Sequence, residues 1–205
     1  MPKEIYKKYT VYTLDELNPQ AQDNAIHNLT NYFMEDNIEQ LNDFIKHDLS
    51  KKFPCSTLKF QYSLSCSQGD GVNIYGDILF KEIYRKIKHH LSEKSQKFMQ
   101  FVFTVTEPGL TIHLLENHRY SFTLAKRNDF ICTIIDTLVN DHYSGIKWGV
   151  LFRVNSLMQE YLYDLCKEYE KIGYDALYEL SYEQAFILCK EIEIVFDEYG
   201  NIFSE

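Results

Sequence analysis

A strand–turn–strand signature over residues 58–80 constrains this fold more than any other stretch of the chain. Leu58, Phe60, Tyr62, Leu64 and Cys66 alternate with Lys59, Gln61, Ser63 and Ser65. A period of two places the first set on one face of a strand and the polar set on the other. Ser67-Gln68-Gly69-Asp70-Gly71 follows, after which Val72, Ile74, Ile78 and Phe80 resume an extended apolar run. Two glycines flanking an aspartate admit positive φ, so the chain can reverse there. The segment predicts a β-hairpin with a glycine-rich tip, belonging to the central antiparallel sheet.

Helix and strand signals surround it. Residues 4–13 read as an edge strand. Thr13-Leu14-Asp15-Glu16 has the form of a capping box, and Asn18-Pro19 is a second helix start with proline at the first helical position. The first helix runs to about Met34, with Ala21, Ala25 and Leu29 on one face. A second from Asn37 places Ile38, Leu41, Phe44, Ile45 and Leu49 on one stripe and stops before Pro54. A basic helix over 80–97 turns Ile83, Tyr84, Ile87 and Leu91 inward. Phe101 to Thr106 reads as a strand, with a turn at Glu107-Pro108-Gly109. Leu110 to Leu115 and Arg119 to Leu124 are two more strand candidates. Residues 128–142, 151–171 and 182–190 read as helices, the last opened by a second capping box at Ser181-Tyr182-Glu183-Gln184. Ile192, Ile194 and Phe196 then lead into a turn at Asp197-Glu198-Tyr199-Gly200-Asn201. These elements predict an α+β fold: an antiparallel sheet with hairpins packed against several helices, and a helical C-terminal part. One domain over 1–205 is the economical reading, with a possible division into 1–127 and 128–205.

The five cysteines, Cys55, Cys66, Cys132, Cys166 and Cys189, are odd in number and scattered. No Cys-x-x-Cys pair occurs, which argues against a zinc ribbon or a disulfide scaffold and fits a reducing compartment. Met1-Pro2-Lys3-Glu4 does not open a signal peptide, and no run approaches a membrane span. A soluble cytoplasmic protein is expected, with no membrane partner. The net charge of −9 is unevenly spread. Residues 1–159 carry 18 basic and 18 acidic side chains, whereas 160–205 carry 12 acidic ones against Lys167, Lys171 and Lys190. Such segregation can steer a basic partner, although a solvated helix face is its commoner meaning.

Candidate chemistry is sparse. Asp70, beside Gln68 on the hairpin tip, is a carboxylate able to meet a metal, a base edge or a partner's arginine. The simpler reading is an aspartate that satisfies its own turn. The tip lacks the Gly-Lys-Ser/Thr ending of a phosphate-binding loop and runs into a strand. His113, Glu116 and His118 carry zinc-ligand chemistry at a spacing too generic to assign a site. Lys81, Arg85, Lys86, Lys88, Lys94 and Lys97, with His89 and His90, form a basic stretch without a helix-turn-helix signature, so direct nucleic-acid binding is not favoured. No nucleophile elbow occurs, and Cys66 is expected as a packed thiol on its strand's apolar face. No catalytic residue, metal ligand or cofactor is assigned.

Three stretches together carry a resemblance. They are Val11-Tyr12-Thr13-Leu14-Asp15-Glu16-Leu17-Asn18 with Ala21 and Ala25, Tyr62 through Val72 around Ser67-Gln68-Gly69-Asp70-Gly71, and Val195 through Phe203. The chain resembles a family of small uncharacterised bacteriophage and prophage proteins, often labelled antitoxin-like. That resemblance implies a phage origin and no catalytic residues. The expected function is a non-enzymatic inhibitor of a host defence complex, of the anti-CRISPR or anti-restriction type. Its acidic C-terminal segment would compete with nucleic acid for a basic groove. The binding residues expected are Gln68, Asp70, Glu160, Asp164, Glu168 and Asp175, with Tyr161, Tyr163, Tyr169, Tyr174 and Tyr178 as surface aromatics. The alternatives are a hydrolase or nuclease-like enzyme using the hairpin tip and nearby acidic or histidine groups, and an antitoxin-type binding protein.

Overall fold

The structure, a computed structural model, describes residues 8–66, 70–105, 109–116 and 147–203. Among them it is an α+β fold with a three-stranded antiparallel sheet, six α-helices and a helical C-terminal part. Strands β1 (Thr57–Ser63), β2 (Gly71–Leu79) and β3 (Thr111–Leu114) lie in that order, with β2 central. The hairpin is as expected: Ser63 pairs with Gly71 and Thr57 with Asp77. The register puts Leu58, Phe60 and Tyr62 opposite Gly76, Ile74 and Val72 on one face. Ile78 joins them opposite Ile112.

Side-chain caps set several helix starts. Asn18 Oδ1 accepts from the Ala21 amide at 3.0 Å, and Pro19 opens α1 (Pro19–Tyr32). The Thr13 amide donates to Glu16 Oε2 at 2.9 Å, closing a single 3-10 turn, Leu14–Glu16. Ser181 and Gln184 cap α6 (Tyr182–Glu191) reciprocally, at 3.3 and 3.0 Å. Between these lie α2 (Met34–Lys52), α3 (Phe80–Ile87), α4 (Glu93–Val105) and α5 (Trp148–Tyr178).

Five expectations change. The edge strand over 4–13 shrinks, within the described residues, to one bridge from Tyr12 to Phe196. Phe101 to Val105 is the end of α4, not a strand. Phe98, Met99 and Val102 are buried there at helical spacing, and this overrides the β-propensity of the Phe-Val-Phe-Thr-Val run. The basic helix over 80–97 is broken at 88–92, where the Ser92 hydroxyl accepts from the Ser95 amide and starts α4 afresh. On α2, Leu41, Ile45 and Leu49 are buried but Ile38 and Phe44 are exposed, so the inward stripe is narrower than its apolar residues. Cys66 is exposed at φ +58°, because β1 ends at Ser63 and the chain is already turning. The strand over 119–124 and the helix over 128–142 lie outside the described residues.

Contacts divide the chain into two compact units. One takes 1–41 and 174–205, the other 42–173. This pairs the two ends of the chain, unlike a cut at 127/128. In the first unit, Leu14, Ala21, Ala25, Leu29, Ala185, Cys189 and Phe196 form one apolar cluster. In the second, Phe53 of α2 meets Tyr161 of α5 edge-on at 6.3 Å, and Phe103 of α4 packs on Phe80 and Tyr84 of α3 at 4.9 and 5.0 Å. Buried Glu82 fastens the entry to β1, accepting from the Cys55 amide at 2.9 Å and the Ser56 hydroxyl at 2.5 Å.

Candidate binding surfaces on the hairpin tip and the acidic helix

The hairpin tip uses Asp70 internally. Its Oδ1 accepts from the Ser63 and Ser65 hydroxyls at 2.8 and 3.2 Å, and its Oδ2 from the Ser65 amide at 2.6 Å. These bonds tie the β1 exit to the start of β2 and make Asp70 the clamp of its own turn. Gln68 lies outside the described residues.

The acidic candidates sit on α5. Glu160, Asp164 and Glu168 are exposed at spacings of four, which stacks them on one face of the helix. Asp175 is exposed on the same helix but belongs to the other unit. Basic groups interleave with the stripe. Arg153 Nη1 stands 3.8 Å from Glu160 Oε1, Lys171 is exposed, and Lys167 donates to Glu170 at 2.6 Å. The Glu170 hydrogen bond holds Lys167 above its usual range. Lys167 also lies 6.0 Å from the centre of the exposed Tyr163 ring. Of the expected surface tyrosines, Tyr163 and Tyr178 are exposed while Tyr169 is fully buried. Position 169 falls on the helix face that carries Leu162, Leu165 and Cys166, all buried.

Buried Tyr169 donates to Asp48 Oδ2 at 2.7 Å, and Lys52 of α2 pairs with the same oxygen. Burial works to raise Asp48, but the hydrogen bonds from Lys52 and Tyr169, with the charges of Lys52 and Lys51, outweigh it and hold the carboxyl below its usual value. Burial, followed by that same bond to Asp48, pushes Tyr169 up. A depressed native carboxyl contributes stability that is complete above its unfolded pKa and fades as pH falls through the native one. Urea melts are therefore expected to show wild type more stable than Asp48→Asn at neutral pH, with the gap closing as pH falls below the usual carboxylate range. A gap that stayed constant with pH would contradict this reading of Asp48.

The sheet reveals a pair that the sequence reading left apart. Asp77 and His113 are register partners on β2 and β3, and His113 Nδ1 lies 2.8 Å from Asp77 Oδ1. Both are more than half exposed. Among the described residues no Ser, Thr or Cys side chain bonds His113, and no three His, Cys, Asp or Glu residues gather as metal ligands. His118 lies outside the described residues. The basic residues of 81–97 are spread over α3, a 3-10 turn (Lys88–His90) and α4, so they share no single helix.

Asn73 is a second feature without a signal in the hydrophobic pattern. It is completely buried on β2, and neither amide atom has a hydrogen-bond partner among the described residues. An unpaired buried amide costs about 1–3 kcal/mol. Asn73→Leu, similar in volume, is expected to raise stability by a comparable amount in a urea melt. A destabilised variant would mean that the amide is satisfied in solution.

Compared with protein-family models, curated proteins and solved structures, the chain matches none.

Proposed function

We propose that the protein is a non-enzymatic interaction protein of phage or mobile-element origin that docks an acidic surface on a basic, nucleic-acid-binding host defence complex. The observation that carries this reading is the exposed row of Glu160, Asp164 and Glu168 on α5 beside exposed Tyr163. The row lies in the segment holding the whole net negative charge of the chain. Carboxylates at about one per helical turn offer a basic groove regularly spaced charge, and tyrosine adds contact area with little entropy loss. The interleaved Arg153, Lys167 and Lys171 temper the field, so the surface favours a partner with its own acidic relief over a uniformly basic one. The phage origin, and with it the anti-CRISPR or anti-restriction target, rests on the resemblance of the three sequence stretches.

The Asp77–His113 pair favours a second reading, a hydrolase or nuclease-like activity, because an aspartate on Nδ1 leaves Nε2 free to act as a base. Its exposure, and the lack of a nucleophile bonded to His113 among the described residues, weigh against it. Immobilised protein separates the two in a nuclease-treated bacterial lysate. The interaction reading expects retention of a nucleic-acid-binding protein complex that added DNA displaces, unaffected by His113→Ala. Retention that depends on intact nucleic acid, or nucleic-acid cleavage lost with His113→Ala, would contradict it.

A further inference from the structure

Strand β1 is an outer strand of the described sheet, and its open side borders a cleft of about 450 Å³. The parity of the sheet's hydrogen bonds fixes what that side presents. The Phe80 amide donates to Leu110 O at 2.9 Å, one step beyond the Leu79–Thr111 pair, so the even-numbered residues of β2 turn their main chain to β3. Its odd-numbered residues turn theirs to β1, opposite Thr57, Lys59, Gln61 and Ser63. The Leu79 amide follows the same parity, donating to Ser56 Oγ at 2.9 Å. The N–H and C=O groups of Leu58, Phe60 and Tyr62 therefore point out of the sheet, and none meets a main-chain partner among the described residues. Helix α2 stands beside that row. The Tyr62 hydroxyl donates to Asn42 Oδ1 at 3.1 Å, and Phe53, just past the end of α2, lines the cleft with Leu58. Four helical residues advance about 6 Å and two strand residues about 6.7 Å, so Asn42, Lys46 and Leu49 keep step with Tyr62, Phe60 and Leu58.

We propose that this edge takes up a short extended segment of a partner protein, in which acidic and apolar residues alternate, as a further antiparallel strand beside β1. Strand addition draws affinity from main-chain bonds and specificity from the side chains that fall on alternate faces. The register gives the two faces of this edge different chemistry. Leu58 and Phe60 lie on the face towards α2, and with Leu49 and Phe53 they offer an apolar wall to every second residue of the segment. Lys59 is exposed on the opposite face and offers a cation to the residues between. Lys46 adds a second cation on the α2 side. Neither lysine has an ion pair among the described residues, and no carboxylate lines the cleft. The same charge tells against a second copy of the chain. Self-pairing centred on Phe60 would set two Lys59 side chains on one face as diagonal neighbours about 7–8 Å apart, and an edge lysine guards against such pairing.

The probe is the capped peptide acetyl-Glu-Val-Glu-Val-Glu-Val-Glu-amide, titrated into the full chain and followed by NMR. It is expected to saturate at millimolar concentration and to shift the amides of Leu58, Phe60 and Tyr62. Its counterpart with lysine in place of glutamate should bind there about fivefold more weakly or worse. Lys46→Glu with Lys59→Glu should reverse that order, so that the lysine peptide binds the tighter. N-methylation of every valine removes the donors that face β1 and should abolish binding of the acidic peptide. No saturation by the acidic peptide overturns the proposal. So do shifts that map elsewhere, equal binding of the two peptides, an order unchanged in the double variant, or full affinity after N-methylation. Shifts of the same amides with protein concentration alone would assign the edge to a second copy and equally overturn it. The wild-type map and the N-methylated peptide decide the matter if the double variant fails to fold. The edge is separate from the exposed face of α5, so its failure leaves the proposed interaction standing, and the reverse holds.

Discussion

Replacing Gly200 by alanine is expected to cost about 3 kcal/mol or more. Gly200 has φ +84°, in the region where a Cβ is strained. An added Cβ would stand 2.1 Å from Ala21 O and 2.9 Å from Ala25 N, both main-chain atoms of α1. Backbone of a packed helix cannot yield as a long side chain does, so strain and overlap add. The turn holds the glycine in place. Asp197 Oδ1 accepts from the Tyr199 and Asn201 amides at 2.9 Å each, Asp197 Oδ2 from Asn201 Nδ2 at 2.9 Å, and Asn28 Nδ2 donates to Gly200 O at 3.0 Å. The Asn201 side-chain bond leads the interactions that hold Asp197 below its usual value. Gly149→Ala is the control, because nothing lies within 4 Å of its Cβ position and it sits inside helix α5. That change should be neutral or stabilising by up to about 1 kcal/mol. Urea melts of the two variants giving equal midpoints would contradict the docking of this turn on α1.

Glu82→Ala is expected to cost about 2–4 kcal/mol. The side chain is 4% exposed, with no salt bridge to a cation among the described residues, and the Cys55 amide and Ser56 hydroxyl both donate to it. The Ser56 oxygen in turn accepts from the Leu79 amide at 2.9 Å, so one carboxylate organises the start of β1 and the end of β2 together. Removing it strands two donors. Glu82→Gln keeps an acceptor oxygen and should lose less than the alanine variant. Equal losses in chemical denaturation would show that side-chain packing, not the carboxylate's acceptance, is what Glu82 supplies.

Where the fold was legible, local chemistry and period agreed. The β1 alternation, the pairing of the two strands it announces, Asn18-Pro19 and the Ser181 box each state a geometry within a few residues, and each is realised. The Phe101–Val105 segment misled because its composition is that of a strand, while its environment is set by a helix begun nine residues earlier at Ser92. Cys66 misled because alternation says nothing about where pairing stops. Tyr169 looked like surface decoration in a Tyr-rich segment, yet the helix period from Leu162 and Leu165 already turned it inward. The Asp77–His113 pair was illegible for a different reason. It depends on strand register, which is not written in spacing along one element. The acidic row on α5 was legible because charge on a single helix needs only the helical period.

The most direct test of the interaction reading is the association rate of the protein with its captured partner, measured against salt for wild type and for a variant with Glu160, Asp164, Glu168 and Asp175 reversed to lysine. Four reversals of two charges each move the net charge from −9 to about −1. These side chains are exposed, so the variant should keep its circular dichroism melt near wild type. Steering by exposed charge acts on association and is screened within about 8–10 Å at ordinary ionic strength. The expected result is a variant that associates at least about tenfold more slowly at low salt, with the two rates converging as salt rises. A folded variant that binds with unchanged rate and unchanged salt dependence would contradict the acidic face of α5 as the recognition surface.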